Sequence, residues 1–405
     1  MQEKNNNHGF RIKRLHLLLS LSILVIFLGA IIMNSSDTSA ETVAKSKRLE
    51  RIQSSPNFKN NHFVNAKPAV EPPLMETMVK WLKGANHTTP DKALPVVKLG
   101  KQDFSEFPTS GLRVTWMGHS SALIELDGKK FLTDPIWSDR SSPVSFTGPK
   151  RFFDPPLALN DLPPIDAVII SHDHYDHLDK HTVQHLATTG TRFIVPLGVG
   201  AHLESWQISE QQITELDWWE STSVGNHQIT ATPARHFSGR SMIMADRNKT
   251  LWCGFTVSGP DHNLYYTGVT AMFDGFKEIG KRLGPFDAVL VEVGAYNKLW
   301  ADLHLGPEQA VQAVKEARGK LLIPVHWATF NLALHSWVEP AERLILAAKE
   351  QNIPLAIPKP GENVEPSKPK PLVRWWPELP WQTKKEHPVI SSGLENNLVT
   401  AESPD

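Results

Sequence analysis

The apolar residues of this chain gather into short runs that stop abruptly at polar sequence, and the sharpest of these boundaries organises the rest. Asp166-Ala167-Val168-Ile169-Ile170 gives way at once to Ser171-His172-Asp173-His174-Tyr175-Asp176-His177-Leu178-Asp179. An apolar run this short, rich in β-branched side chains, predicts a buried strand, so the histidines begin at a strand tip. Upstream, Leu112–Trp116 and Ser121–Leu126 flank Gly118-His119, and Asp127-Gly128 turns the chain into Lys130–Asp134, a pattern of half-buried hairpin strands. Asp134-Pro135 leaves a carboxylate at the end of that hairpin.

Downstream the pattern predicts a helix over about Asp179–Ala187, a buried strand at Arg192–Val195, and a strand at Gln228–His236 that ends in His236. Leu251–Ser258 and Leu264–Thr267 continue the β-rich stretch. Phe286–Val293 repeats the look of the first histidine-bearing strand, Pro307–Ala317 is a helix opened by proline, and Leu321–His326 is a strand ending in His326. A helix over Glu339–Gln351 and the segment Pro354–Ile357 close the series. Two similar successions of strands and helices, with the chemically active side chains at strand ends, predict an α/β fold. Its simplest form is two β-sheets between helix layers, with the site where the sheets meet.

The flanks read differently. Leu15–Met33 is a nearly unbroken apolar run preceded by Arg11, Lys13 and Arg14, and as a helix it would span roughly 28 Å, enough to cross a membrane once. Residues 1–34 are therefore expected to be a signal anchor, a transmembrane helix that exports the rest to a periplasmic or extracellular face. Thr38-Ser39-Ala40 offers the alternative of a cleavage site. Residues 35–110 read as a polar linker and N-terminal extension with one helix-like piece, Met75–Leu82. Residues 111–360 form the main domain, and residues 361–405 a Pro-rich tail that either wraps the domain or is disordered.

Composition narrows the chemistry. Lys+Arg 42 against Asp+Glu 43 gives a net charge of -1, which argues against a nucleic-acid partner. The single Cys253 excludes an internal disulfide framework and a cysteine-built zinc module, leaving any metal to histidine and carboxylate ligands. Residues two apart in extended backbone point the same way, so His172 and His174 can grip one ion while Asp176 and His177, past the next bend, face a second. His181 and His185, four apart on the following helix, read as a solvated face.

The chain resembles the metallo-β-lactamase fold superfamily, and within it the N-acyl-phosphatidylethanolamine-hydrolysing phospholipase D branch. The likeness rests on Trp116-Met117-Gly118-His119-Ser120, Leu132-Thr133-Asp134-Pro135, Gly148-Pro149-Lys150-Arg151-Phe152, the HxHxDH motif, Thr232-Pro233-Ala234-Arg235-His236-Phe237-Ser238-Gly239-Arg240, Gly294-Ala295-Tyr296 and Ile323-Pro324-Val325-His326-Trp327. It implies a four-layer αββα sandwich with one or two zinc ions. By resemblance, His172, His174 and His236 would hold one zinc, and Asp176, His177 and His326 the other. Asp134 and His119 would orient these ligands from behind. His304 would meet the substrate phosphate or the leaving oxygen, and Asp176 would also orient the nucleophile. One position departs from the family: where an aspartate is expected to bridge both metals, the chain reads Gly268-Val269-Thr270-Ala271. Val269 cannot ligate, so the second ion is expected to bind more weakly.

The function this implies is a metal-dependent hydrolase using a zinc-bound hydroxide, most naturally a phosphodiesterase acting on a phospholipid such as N-acyl-phosphatidylethanolamine. Lactone or other ester hydrolysis on the same fold is the alternative, as is a binding protein impaired by Val269. The partner is a lipid or small-molecule ester, and oligomeric state is open.

Overall fold

The computed structural model describes residues 47–392 and 394 of the chain. In chain order its elements are α1 (Lys47–Ser54), β1 (Phe58–Lys59), β2 (His62–Phe63), α2 (Leu74–Lys83), β3 (Leu112–Gly118), β4 (Ser121–Leu126), β5 (Lys129–Thr133), β6 (Ala167–Ile169), α3 (Lys180–Ala187), β7 (Arg192–Pro196) and α4 (Gly200–Ser205). They continue with β8 (Ile213–Leu216), β9 (Ser221–Val224), β10 (His227–Thr232), β11 (Gly254–Ser258), β12 (Asn263–Tyr266), α5 (Gly275–Leu283), β13 (Ala288–Glu292), α6 (Pro307–Glu316), β14 (Leu322–Val325), α7 (Glu339–Gln351) and β15 (Asn363–Val364).

One sheet runs in the order β15-β3-β4-β5-β6-β7-β8 and the other β14-β13-β12-β11-β10-β9. Each mixes a meander with parallel strands: β5 to β8 are parallel in the first, β12 to β14 in the second. Parallel neighbours need crossovers, and α3, α5 and α6 supply three of them, which places helices outside the sheets. The pleat sorts the side chains. On β4, Ala122, Ile124 and Leu126 join a core shared with Ile229, Phe255 and Leu264 of the second sheet, while Leu123 turns to a second core with Val183 and Leu186 of α3. The residues of β6 and Ile170 after it divide the same way, Ala167 and Ile169 against Val168 and Ile170. This is the four-layer αββα sandwich expected from the sequence, and each such fully buried Leu, Ile, Val or Phe side chain contributes about 1.5–3 kcal/mol.

The differences have local causes. The strand expected over Gln228–His236 stops at Thr232, because Pro233 has no N–H to give the ladder. His236 therefore stands on the loop beyond the sheet. Helix α1 escapes the apolar pattern because one of its two buried side chains is Arg48, paired with Glu204 and Glu215. Helix α5 is broken up in the sequence by Gly275 and Gly280, and β15 is only two residues long.

The described parts of both flanks lie on the domain. Asn65, before α2, accepts a hydrogen bond from the His236 N–H at 3.0 Å and donates to the His236 carbonyl at 2.8 Å. At the other end, β15 pairs antiparallel with β3, and Trp375 and Trp376 pack on Trp327, with ring centroids 5.4 and 5.6 Å away. The membrane and signal-anchor assignment is corrected. Among the described residues no helix is long and apolar enough to cross a membrane, the longest being α7 with 13 residues, where a span needs about 20. Leu15–Met33, on which that assignment rested, lies outside the described residues.

Candidate metal centre

The motif loop leaves β6 and bends at once: the His177 and Leu178 N–H groups both donate to the His174 carbonyl, at 3.0 and 2.8 Å. That turn separates the histidines into two directions. Asp173, buried beneath it, accepts from Gly239 N–H at 2.8 Å, Thr250 Oγ1 at 2.8 Å and His202 Nε2 at 3.2 Å. Burial alone would raise the Asp173 pKa; the His202 contacts outweigh it and hold the carboxyl well below its ordinary range. Arg240 donates to the carbonyls of Asp173 and Leu178, at 2.6 and 2.9 Å, with its guanidinium 3.9 Å from the centre of the Tyr175 ring. The loop is thus clamped at its neck.

His172, His174 and His236 form the first donor set. His172 Nε2 and His236 Nε2 approach His174 Nδ1 at 2.8 and 3.4 Å. His236 Nδ1 donates to the Leu303 carbonyl at 2.8 Å and His172 Nδ1 meets Ser171 Oγ at 2.9 Å, which leaves both Nε2 lone pairs free to ligate. Burial pushes His172 and His236 well below the ordinary histidine value and His174 down to about 4, so the set is neutral near pH 7.

Asp176, His177, His326 and His119 form the second set. Asp176 Oδ2 lies 2.9 Å from His119 Nε2, 3.2 Å from His177 Nε2 and 3.4 Å from His326 Nε2. Burial opposes a charge on His177, but Asp176 and Asp134 outweigh it and raise the ring to about 10. A cation is favoured at this point, and a metal ion would take the place of that proton. Burial brings His119 down to about 4 and His326 to about 3. His177 Nε2 and His326 Nδ1 are buried without a hydrogen-bond partner, a costly state for polar atoms that coordination at His177 Nε2 would relieve. The donors fit a divalent ion of the zinc type.

Asp134 sits behind this set, fully buried at the end of β5. It accepts from Ser171 N–H at 2.7 Å, Ser171 Oγ at 2.5 Å, His177 Nδ1 at 2.6 Å and the Tyr266 hydroxyl. His119 Nε2, 2.9 Å from Asp176 Oδ2, is placed to orient that carboxylate and is also within reach of the same ion. His304 Nδ1 pairs with Glu292, and its ring centre is 5.3 Å from that of His236 and 5.4 Å from that of His326, so it lies between the two sets. His181 is exposed and belongs to neither set, nor does His185.

Val269 is buried, yet it belongs to neither hydrophobic core. Gly268 before it has φ +62 and passes so close to the Cys253 carbonyl that a Cβ would fall 2.4 Å from that oxygen. Asp261 and Asp274 do not take Val269's place: Asp261 is exposed, and Asp274, before α5, faces Lys67 with its side chain 70% exposed. Sequence reasoning passed over Glu292, Asp173 and Asn65. For Glu292 a signal existed, since it is a lone carboxylate inside the apolar run Ala288–Val293.

Residues 129–327, which carry all these donors except His119, match the family model described as the beta-lactamase superfamily domain. An uncharacterized protein of Mycobacterium tuberculosis is 45% identical over 333 residues, 80% of this chain and 88% of that one. The chain belongs to the metallo-β-lactamase superfamily. Within the superfamily, the N-acyl-phosphatidylethanolamine-hydrolyzing phospholipase D 1 of Caenorhabditis elegans is 38% identical over 267 residues, 63% of this chain and 74% of the relative. Among solved structures, an isothiocyanate hydrolase from Delia radicum gut bacteria superposes with a TM-score of 0.51 at 21% identity, over 62% of this chain and 98% of the other. That likeness concerns the fold. With its two donor sets, this member of the superfamily is a metal-dependent hydrolase.

Proposed function

We propose that the protein is a zinc-dependent phosphodiesterase that cleaves a phospholipid such as N-acyl-phosphatidylethanolamine. The reading rests on one observation above the others: the two donor sets stand side by side, His172 and His177 with ring centroids 4.3 Å apart, and His304 packs against a ring of each, a layout that suits a phosphodiester, whose attacking and leaving oxygens both need charge stabilisation. When bound, divalent ions at these donors supply Lewis acidity and a water that ionises near neutral pH. The chain's own groups do the rest. Asp176, 14% exposed at the cleft, orients the attacking water. His304, held at Nδ1 by Glu292, turns its other ring nitrogen to the phosphate or leaving oxygen. The similarity to the Caenorhabditis elegans phospholipase supports the substrate class. So does the apolar surface of α2, where Leu74, Met75 and Leu82 are more than 70% exposed. Trp81 of that helix stacks on Trp300, in the loop that leads to His304, with centroids 6.4 Å apart, and such a surface suits acyl chains.

Purified protein loaded with zinc is offered N-acyl-phosphatidylethanolamine, a soluble bis-aryl phosphodiester and an acyl lactone, each with and without chelator. The expected outcome is release of the N-acylethanolamine and phosphatidic acid, abolished by chelation and by Asp176→Asn. Faster chelator-sensitive turnover of the lactone than of both phosphodiesters would replace this reading with the ester-hydrolase alternative.

A further inference from the structure

Glu292 ends β13, fully buried, and its register partner on β14 is Val325, the residue before His326. Burying a carboxylate is costly unless a cation or strong donors compensate it. Among the described residues no lysine or arginine does so. Its contacts are His304 Nδ1 on Oε1 and the Thr270 N–H on Oε2, the latter at 2.6 Å. Thr270 follows Val269, so the neighbouring strand delivers a carboxylate to the turn whose own side chain is apolar. Donor atoms of Glu292, His304 and His326 lie within 4.8 Å of one another, and His326 also faces Asp176 at 3.4 Å. Without Glu292 the two donor sets offer one carboxylate, Asp176, among six imidazoles. Two dications there would leave three uncompensated charges at a largely buried centre, and Glu292 reduces them to two.

We propose that Glu292 is a ligand of this centre, giving through Oε1 the anionic donor that Val269 cannot give to the ion held by Asp176, His177 and His326. Oε2 stays on the Thr270 N–H and fixes the plane of the carboxylate. The proposal rests on the metal-dependent reading of the site and replaces the expectation that the Val269 turn weakens the second ion.

The first test needs no variant. Crystals of the zinc-loaded protein are examined by anomalous scattering at the zinc edge. A peak about 2.0–2.2 Å from a Glu292 oxygen is expected; zinc bound in the cleft but beyond 3 Å from both oxygens overturns the proposal. The second test counts metal by elemental analysis and calorimetric titration. Glu292→Gln should keep the first zinc and bind the second about 10–100-fold more weakly, and adding Val269→Asp to that variant should restore the second. Two zincs bound by Glu292→Gln with unchanged affinity would mean that Glu292 only orients His304. Absence of zinc from the wild-type protein would instead overturn the metal-dependent reading itself, so the two failures are distinguishable.

Discussion

Asp134 is the residue on which the second donor set leans. Its carboxylate takes hydrogen bonds from Ser171, His177 and Tyr266 at once, which ties β5, the motif loop and β12 to the tautomer of one ring. His177 can ligate through Nε2 because Nδ1 is committed to Asp134. Asp134→Asn puts an amide donor either at Oδ2, against the His177 Nδ1 proton and the Tyr266 hydroxyl, or at Oδ1, against the Ser171 N–H. It is expected to lower zinc affinity by about 10–100-fold. Metal titration of the folded variant checks this, with thermal melting of the chelated protein to show that the fold is kept.

At the scale of elements, the strands aim the ligands and the loops beyond them set the final positions. His236 leaves the sheet at Pro233 and is pinned by Asn65, whose side chain brackets its peptide and also meets Trp252 Nε1 at 3.1 Å. Asn65→Ala is expected to spare the fold and weaken zinc at the first donor set about tenfold, the lower end for a group that supports a ligand. Zinc competition with a chromophoric chelator checks it, and unchanged affinity would show that Pro233 and the Leu303 carbonyl position His236 without Asn65. The tail acts on the opposite strand in a comparable way. Trp116 and Trp327 stack with centroids 5.8 Å apart, and Trp375 packs on both, so the residue after His326 is braced from β3 and from the tail.

For the whole molecule, pH enters through buried neutral histidines. His335 is buried against Tyr296, with centroids 4.3 Å apart; burial pushes it down to about 4, and Glu339 only partly opposes this. In the unfolded chain it titrates near 6.5. Between those values the unfolded state binds a proton that the folded state refuses, so stability falls as pH drops from about 6.5 to about 4, by up to about 1.4 kcal/mol per pH unit for this one residue. His335→Phe should flatten the pH dependence of denaturant midpoints in that window by about this slope. An unchanged slope would refute the assignment. His119 and His174 are lowered similarly and add to the slope of chelated protein, so the comparison is made at fixed metal occupancy.

Local pattern was enough to determine the layered α/β architecture, the strand ends and the histidines upon them. Strand period and the order of apolar and polar residues are properties of neighbouring positions, and a run such as Ala167–Ile170 followed by His172, His174, Asp176 and His177 displays them directly. What needed the tertiary structure is everything that joins residues far apart in the chain. His236, on the loop past β10, and His326, just past the end of β14, meet the motif only because two sheets pack face to face. Asn65 looked like linker because its partner lies 171 positions away. Val269 read as a lost charge because the sequence shows which side chain occupies a turn and not which neighbour fills the space before it. Glu292 reaches that turn from the adjacent strand, a contact set by the parallel register of β12 and β13, and only the folded sheet decides it.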